Sequence, residues 1–159
     1  MRVHVLEREQ VLPLPAEQAW EFFRDAYNLE EITPPFLGFE VLTPRPIEMG
    51  LGTLVEYRLK LHGIRLRWLT RIEAWEPGRR FVDRQVRGPY ALWHHTHTFS
   101  DHPEGTLMRD RVRYRLPFGL LGAAVHVALV RRDLEAIFDF RREEIARRLG
   151  TPATRLSRR

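Results

Sequence analysis

An α+β fold, a curved seven-stranded antiparallel sheet packed on one long C-terminal helix, is predicted by three features of this sequence. Residues 38–117 break into runs of alternating apolar and polar residues separated by turn signals, the pattern of strands. Residues 120–149 instead carry apolar residues at helical spacing, enough for roughly 40 Å of helix. Only one alternating run, residues 2–12, and two short helical segments precede the strand-rich stretch. A single long amphipathic helix must bury its apolar stripe, and the concave face of a curled sheet is the available partner.

In chain order, residues 2–12 place Val3, Val5 and Val11 on one face and Leu6 and Leu12 on the other. Pro13 and Pro15 end that strand. Pro15 also suits the first turn of a helix over PAEQAWEFFRD, where its missing N–H costs nothing, and Ala19, Trp20 and Phe23 share one stripe of it. Asn28 reads as the N-cap of a second short helix, NLEEI, which stops before Thr33-Pro34-Pro35. Phe36, just beyond, is placed to cap a cavity mouth. Six strand patterns follow: FEVLTP, GTLVEYRLKL, IRLRWLTRIEAWEP, RRFVDRQVRG, ALWHHTHTFSD and GTLMRDRVRYRLP. Their short links imply antiparallel neighbours, with the first strand completing the sheet. The last helix, from about Leu120 to Leu149, has an apolar stripe running through Leu121, Val125, Leu129, Leu134, Phe138 and Ile145. A change of phase predicts a break near Arg131–Asp133. Gly150 and Pro152 stop the helix, leaving residues 150–159 as a disordered tail.

A chain of 159 residues makes one domain, and 43% hydrophobic with 30% charged residues is a globular composition. No run approaches about 18 apolar residues, so stable membrane insertion is not expected. The opening MRVHVLEREQV lacks the apolar core of a signal peptide. The absence of cysteine removes disulfides, thiolate nucleophiles and the common zinc ligand sets. A cytoplasmic protein is the expectation. The net charge of +5 comes almost wholly from arginine, Lys60 being the only lysine. Much of it lies on alternate positions of RDRVRYR and in the terminal RLSRR, which reads as a solvated face and a loose tail. No helix-turn-helix, RNA-binding aromatic motif or finger spacing accompanies it, so nucleic acid is not an expected partner.

The stretch YALWHHTHTF, residues 90–99, holds three of the seven histidines within four positions. Alternation divides them. Trp93, His95, His97 and Phe99 share one face, and His94 lies on the other with Thr96 and Thr98. In the next strand Arg109, Arg111, Arg113 and Arg115 mark the wet side, which turns Asp110 and Tyr114 inward. Phe81, Asp83 and Gln85 form the inner set of their strand, and Trp68 that of the strand before it. Three adjacent strands therefore aim Asp83, Gln85, His95, His97, Asp110 and Tyr114 at one interior. Buried polar groups must find partners, water or a ligand.

The element order, together with ITPP (32–35), RFVDRQVRGPY (80–90), WHHTHTF (93–99), GTLMRDRVRYRLPFGLLG (105–122) and RRDLEAIFDFR (131–141), resembles the START-like, helix-grip superfamily. This group, also called SRPBCC or Bet v 1-like, includes polyketide cyclases/dehydrases and lipid-transfer domains. The nearer resemblance is to its bacterial cyclase/dehydrase-like branch, whose members mostly lack an assigned function. The resemblance covers residues 1–149 as one helix-grip domain. It implies a cavity between sheet and last helix for a hydrophobic or amphipathic small molecule, with neither metal nor nucleotide cofactor.

Three functions then compete. The first is ligand binding, with Trp68, Asp83, Gln85, Trp93, His95, His97, Asp110, Tyr114 and Phe138 as contact residues. The second is cyclase or dehydratase chemistry, in which His95 or His97 works with Asp110 as an acid/base pair. The third is a non-catalytic regulatory or structural module whose arginine face meets an acidic partner. A metal on His95 and His97, with Asp83 or Asp110 as third ligand, is stereochemically feasible but not the expectation. The apolar segment Pro117–Gly122 offers a hinge beside the pocket or a homodimer contact.

Overall fold

The structure, a computed structural model, describes residues 2–117 and 123–151, with side chains for all of these except 123–126. The elements are β1 (His4–Leu12), α1 (Ala16–Phe23), α2 (Asn28–Glu31), a 3-10 turn (Pro35–Leu37), β2 (Glu40–Val41), β3 (Leu54–Leu61), β4 (Ile64–Glu76), β5 (Arg80–Arg87), β6 (Leu92–His102), β7 (Gly105–Arg115) and α3 (Ala123–Leu149). They form one seven-stranded antiparallel sheet in the order β1-β7-β6-β5-β4-β3-β2, with α3 as the long C-terminal helix. The fold is therefore α+β of the helix-grip type. Among the described residues no helix is long and apolar enough to cross a membrane.

The strand alternation is realised most clearly in β6 and β7. Trp93, His95, His97 and Phe99 are buried along β6, and Met108, Asp110, Val112 and Tyr114 along β7. Between them, Arg109 and Arg111 face outward and pair with Glu9 (2.6 Å) and Glu7 (3.1 Å) of β1. Such exposed pairs are worth about 0–1 kcal/mol each and serve solubility more than stability. In β1 the even-numbered face turns inward, so Leu12 is fully buried and Val5 exposed.

The core has two ends. At one, Trp20 of α1 packs against Trp75, Phe81 and Phe99 with ring centroids 4.8, 5.7 and 5.8 Å away. At the other, Trp93, Val112 and Tyr114 meet Leu134 and Phe138 of α3. β6 runs from one cluster to the other, with His95 and His97 between its two buried aromatics.

Several local expectations are corrected. Tyr27, not Asn28, is the N-cap of α2; the Asn28 amide instead donates to the Phe22 carbonyl at 2.7 Å, tying α2 to the end of α1. The FEVLTP strand shrinks to Glu40–Val41. Phe36 is exposed, and the buried residues of that corner are Pro34 and Leu37. α3 is continuous through Arg131–Asp133, because the phase change is resolved by letting Leu129 face solvent while Leu134, Phe138 and Ile145 form the buried stripe. The predicted helix start at Leu120, the hinge or dimer segment after Pro117 and the tail beyond Thr151 lie outside the described residues.

Gly105 closes the β6–β7 turn at φ 133°, where an added Cβ would stand 2.1 Å from the Leu12 carbonyl oxygen. Backbone strain of this kind costs about 1–3 kcal/mol before any clash is counted. Gly105→Ala is expected to lower stability by at least about 2 kcal/mol, read as a shift in the urea midpoint.

Candidate functional site

β5, β6 and β7 lie side by side, and their register sets Asp83 opposite His95 and His97 opposite Asp110. The short contacts nonetheless run diagonally. His95 Nε2 lies 2.8 Å from Asp110 Oδ1, and His97 Nε2 lies 2.7 Å from Asp83 Oδ2. The remaining nitrogens face the other carboxylate: His97 Nδ1 is 2.9 Å from Asp110 Oδ1 and His95 Nδ1 is 3.6 Å from Asp83 Oδ2. The 2.9 Å contact is off the hydrogen-bond direction, so its attraction is electrostatic. The two rings lie against each other, tilted by 33° with centroids 3.7 Å apart, and Phe81 stacks on His97 at 4.0 Å. Two carboxylates and two imidazoles thus form a closed four-membered ring.

The charge state follows from this geometry. Burial pushes the Asp110 carboxyl up, but the Arg141 guanidinium, the His95 hydrogen bond and the close His97 ring outweigh it and hold it well below the usual carboxylate range. Asp83 is treated the same way: burial opposes ionisation, and His95 and His97 with Arg141 prevail. Burial also opposes charging His97, yet its two carboxylate neighbours raise its pKa. For His95, burial and the adjacent His97 charge win, and its pKa is lowered. When one imidazole of the ring carries a proton it is therefore His97 rather than His95, since two cations cannot sit 3.7 Å apart without a heavy Coulomb cost.

Beside the ring lies an open cavity of about 180 Å³ between the sheet, α1–α2 and α3. Its wall is mainly apolar and aromatic, as small-molecule pockets are. Trp68, Asp83, Trp93, His95, His97 and Phe138 are on that wall. Asp110 sits beneath it, reached through the histidines, and borders a small cleft between β1 and α3. Gln85 and Tyr114 are not on the cavity wall. Gln85 closes the β5–β6 link by bonding the backbone of Tyr90 in both directions (2.7 and 3.2 Å), and Tyr114 packs behind Trp93 against His4.

Among the wall residues that sequence reasoning did not put in the site are Tyr57, Thr70 and Arg141. Each carried a signal. Tyr57 alternates with the outward Glu56 and Arg58, and Thr70 is two positions beyond Trp68 on the same face. Arg141 stands three residues after Phe138 and four before Ile145, on the buried stripe of α3. Burial and the nearby Asp83 charge drive the Tyr57 hydroxyl far above its ordinary value, so it remains a neutral donor.

Asp83, His95 and His97 bring one ligand atom each to within 4.8 Å of one another, the arrangement a metal would require. These donors already face one another, His97 Nε2 at 2.7 Å and His95 Nδ1 at 3.6 Å from Asp83 Oδ2.

A family-level sequence model described as polyketide cyclase / dehydrase and lipid transport matches residues 12–140. The chain belongs to that family. Among solved structures, protein CV1439 from Chromobacterium violaceum is similar at TM-score 0.70 and 15% identity, over 91% of this chain and 96% of its own. TTHA0849 from Thermus thermophilus is similar at TM-score 0.63 and 21% identity, over 92% and 99%. The Zhui aromatase/cyclase from a Streptomyces species is similar at TM-score 0.64 and 17% identity, over 92% and 96%. At these identities the likeness establishes the fold alone. No curated protein matches the sequence.

Proposed function

We propose that this protein binds a hydrophobic or amphipathic small molecule in the cavity between sheet and α3, without transforming it. The observation that carries this reading is the open, aromatic-walled cavity itself, about 180 Å³ in volume. An apolar cavity of roughly 150 Å³ already accommodates a benzene-sized ring. Membership of a family described by lipid transport as well as cyclisation agrees with it.

Binding is favoured over acid/base catalysis by the geometry of the ring. Every imidazole nitrogen of His95 and His97 has a carboxylate oxygen within 3.6 Å. A general base needs a nitrogen within hydrogen-bond reach of the substrate proton, and at three of the four nitrogens a ligand would first have to displace Asp83 or Asp110, His95 Nδ1 at 3.6 Å being the exception.

Trp68 and Trp93 meet edge to face at 5.1 Å on the cavity wall, so their fluorescence reports occupancy. Titration with naphthalene-sized apolar probes is expected to quench it saturably. Leu134→Trp, which fills the cavity from α3, is expected to weaken binding at least about tenfold, a loss of about 1.4 kcal/mol. Undiminished affinity in that variant, with the fold intact by circular dichroism, would place the ligand elsewhere.

A further inference from the structure

Arg141 has more hydrogen-bonding capacity than the protein uses. It lines the cavity one turn beyond Phe138, with its guanidinium carbon 5.8 Å from that ring centre. Its Nε and Nη2 are buried and make no hydrogen bond, and among the described residues it has no ion-pair partner. These two nitrogens share one edge of the planar guanidinium, and their N–H bonds point the same way. That edge is the fork that receives both oxygens of a carboxylate.

A buried N–H without an acceptor is costly, and two on one charged group more so. Arg141 does act at a distance as countercharge to Asp83 and Asp110. Countercharge alone leaves the two N–H groups without acceptors. With a proton on His97, the charges of Asp83, Asp110, His97 and Arg141 sum to zero. An incoming carboxylate would meet a site that is neutral only with Arg141 counted, so its attraction comes from the directed fork rather than from net charge.

Resting on the cavity reading above, we propose that the ligand is an amphipathic carboxylate, with its apolar body among Trp68, Trp93 and Phe138 and its head group on the Nε/Nη2 edge of Arg141. The apolar body sits on one side of Phe138 and the head on the other, which sets polarity of entry: the carboxylate goes in towards the His–Asp ring.

The test compares matched pairs of probes. 2-Naphthoate with 2-naphthalenemethanol, and octanoate with octanol, differ in the head group alone and separate aromatic from alkyl carboxylates. The native protein is expected to bind at least one acid about tenfold or more tighter than its alcohol, the scale of one charge-assisted hydrogen bond. Arg141→Gln is expected to remove that preference by weakening the acid far more than the alcohol, whose remaining affinity reports that the cavity has survived. Arg141→Lys, keeping the charge without the fork, is expected to restore only part of it. Equal affinity for acid and alcohol in both pairs, or equal weakening of both by Arg141→Gln, would overturn the head-group assignment and leave cavity binding standing. Failure of all four probes to bind would overturn both.

Discussion

Asp110→Ala is expected to be the most damaging single substitution in the site, costing about 3–5 kcal/mol of folding stability. Asp110 is 4% exposed and touches both histidines of the ring, at 2.8 and 2.9 Å. Its removal leaves the His97 imidazolium, 2% exposed, facing one carboxylate instead of two, and leaves His95 Nε2 without an acceptor. A domain of this size has about 5–15 kcal/mol in total, so the variant should be marginal. Asp110→Asn keeps the shape and an acceptor oxygen for His95 but loses the charge, so its cost should be intermediate. Urea midpoints with unchanged slopes measure both. A loss below about 1 kcal/mol for Asp110→Ala would mean that solvent reaches the ring and replaces the carboxylate. Asp83→Ala should couple to it: the double mutant should lose less than the sum of the singles, because the two carboxylates share the same pair of imidazoles.

The second large effect is on pH. Stability should be greatest near pH 6.5, the ordinary histidine value, and fall on both sides. His97 has a raised folded pKa, so its contribution is complete below 6.5 and is lost as pH rises through that folded value. His95 has a lowered folded pKa, and its contribution, present above 6.5, is lost as pH falls through that lower value. Asp83 and Asp110 are held below 3.8, so what they contribute is present above 3.8 and disappears as the pH falls through their folded values. One group shapes the alkaline limb and three shape the acid limb, with each pKa unit worth about 1.4 kcal/mol. Unfolding curves from about pH 3 to about pH 9 would trace both limbs. His97→Gln is expected to flatten the alkaline one specifically. A native profile without a maximum would show that the ring is not the closed, dry unit described here.

Much of this site is legible in strand alternation. It turns Asp83, His95, His97 and Asp110 to one interior and sends His94 outward among the arginines, because successive side chains on a strand point to opposite faces whatever their neighbours are. Gln85 shows where that rule stops. It is on the inner side of β5 by alternation, but it is close to the strand end, and there the amide turns back to hold the Tyr90 backbone. Tyr114 is inward and buried too, yet behind Trp93 rather than beside the cavity. A face assignment does not tell depth along the strand or what stands in front. Arg141 was missed for a different reason. A charged residue on an apolar stripe reads as a break in the pattern unless the partner surface is known to be polar at that level.

By itself, then, the sequence determined the order of elements, the α+β class and the face on which each polar residue lies, since all three depend on local periodicity and turn chemistry. The tertiary structure alone decided that histidines and aspartates pair diagonally across three strands, that a cavity remains beside them, and that an arginine from the last helix arrives with one edge unpartnered. Those outcomes depend on strand register, sheet curvature and the level at which α3 crosses the sheet, which are set by packing between residues distant in the chain rather than by any local pattern.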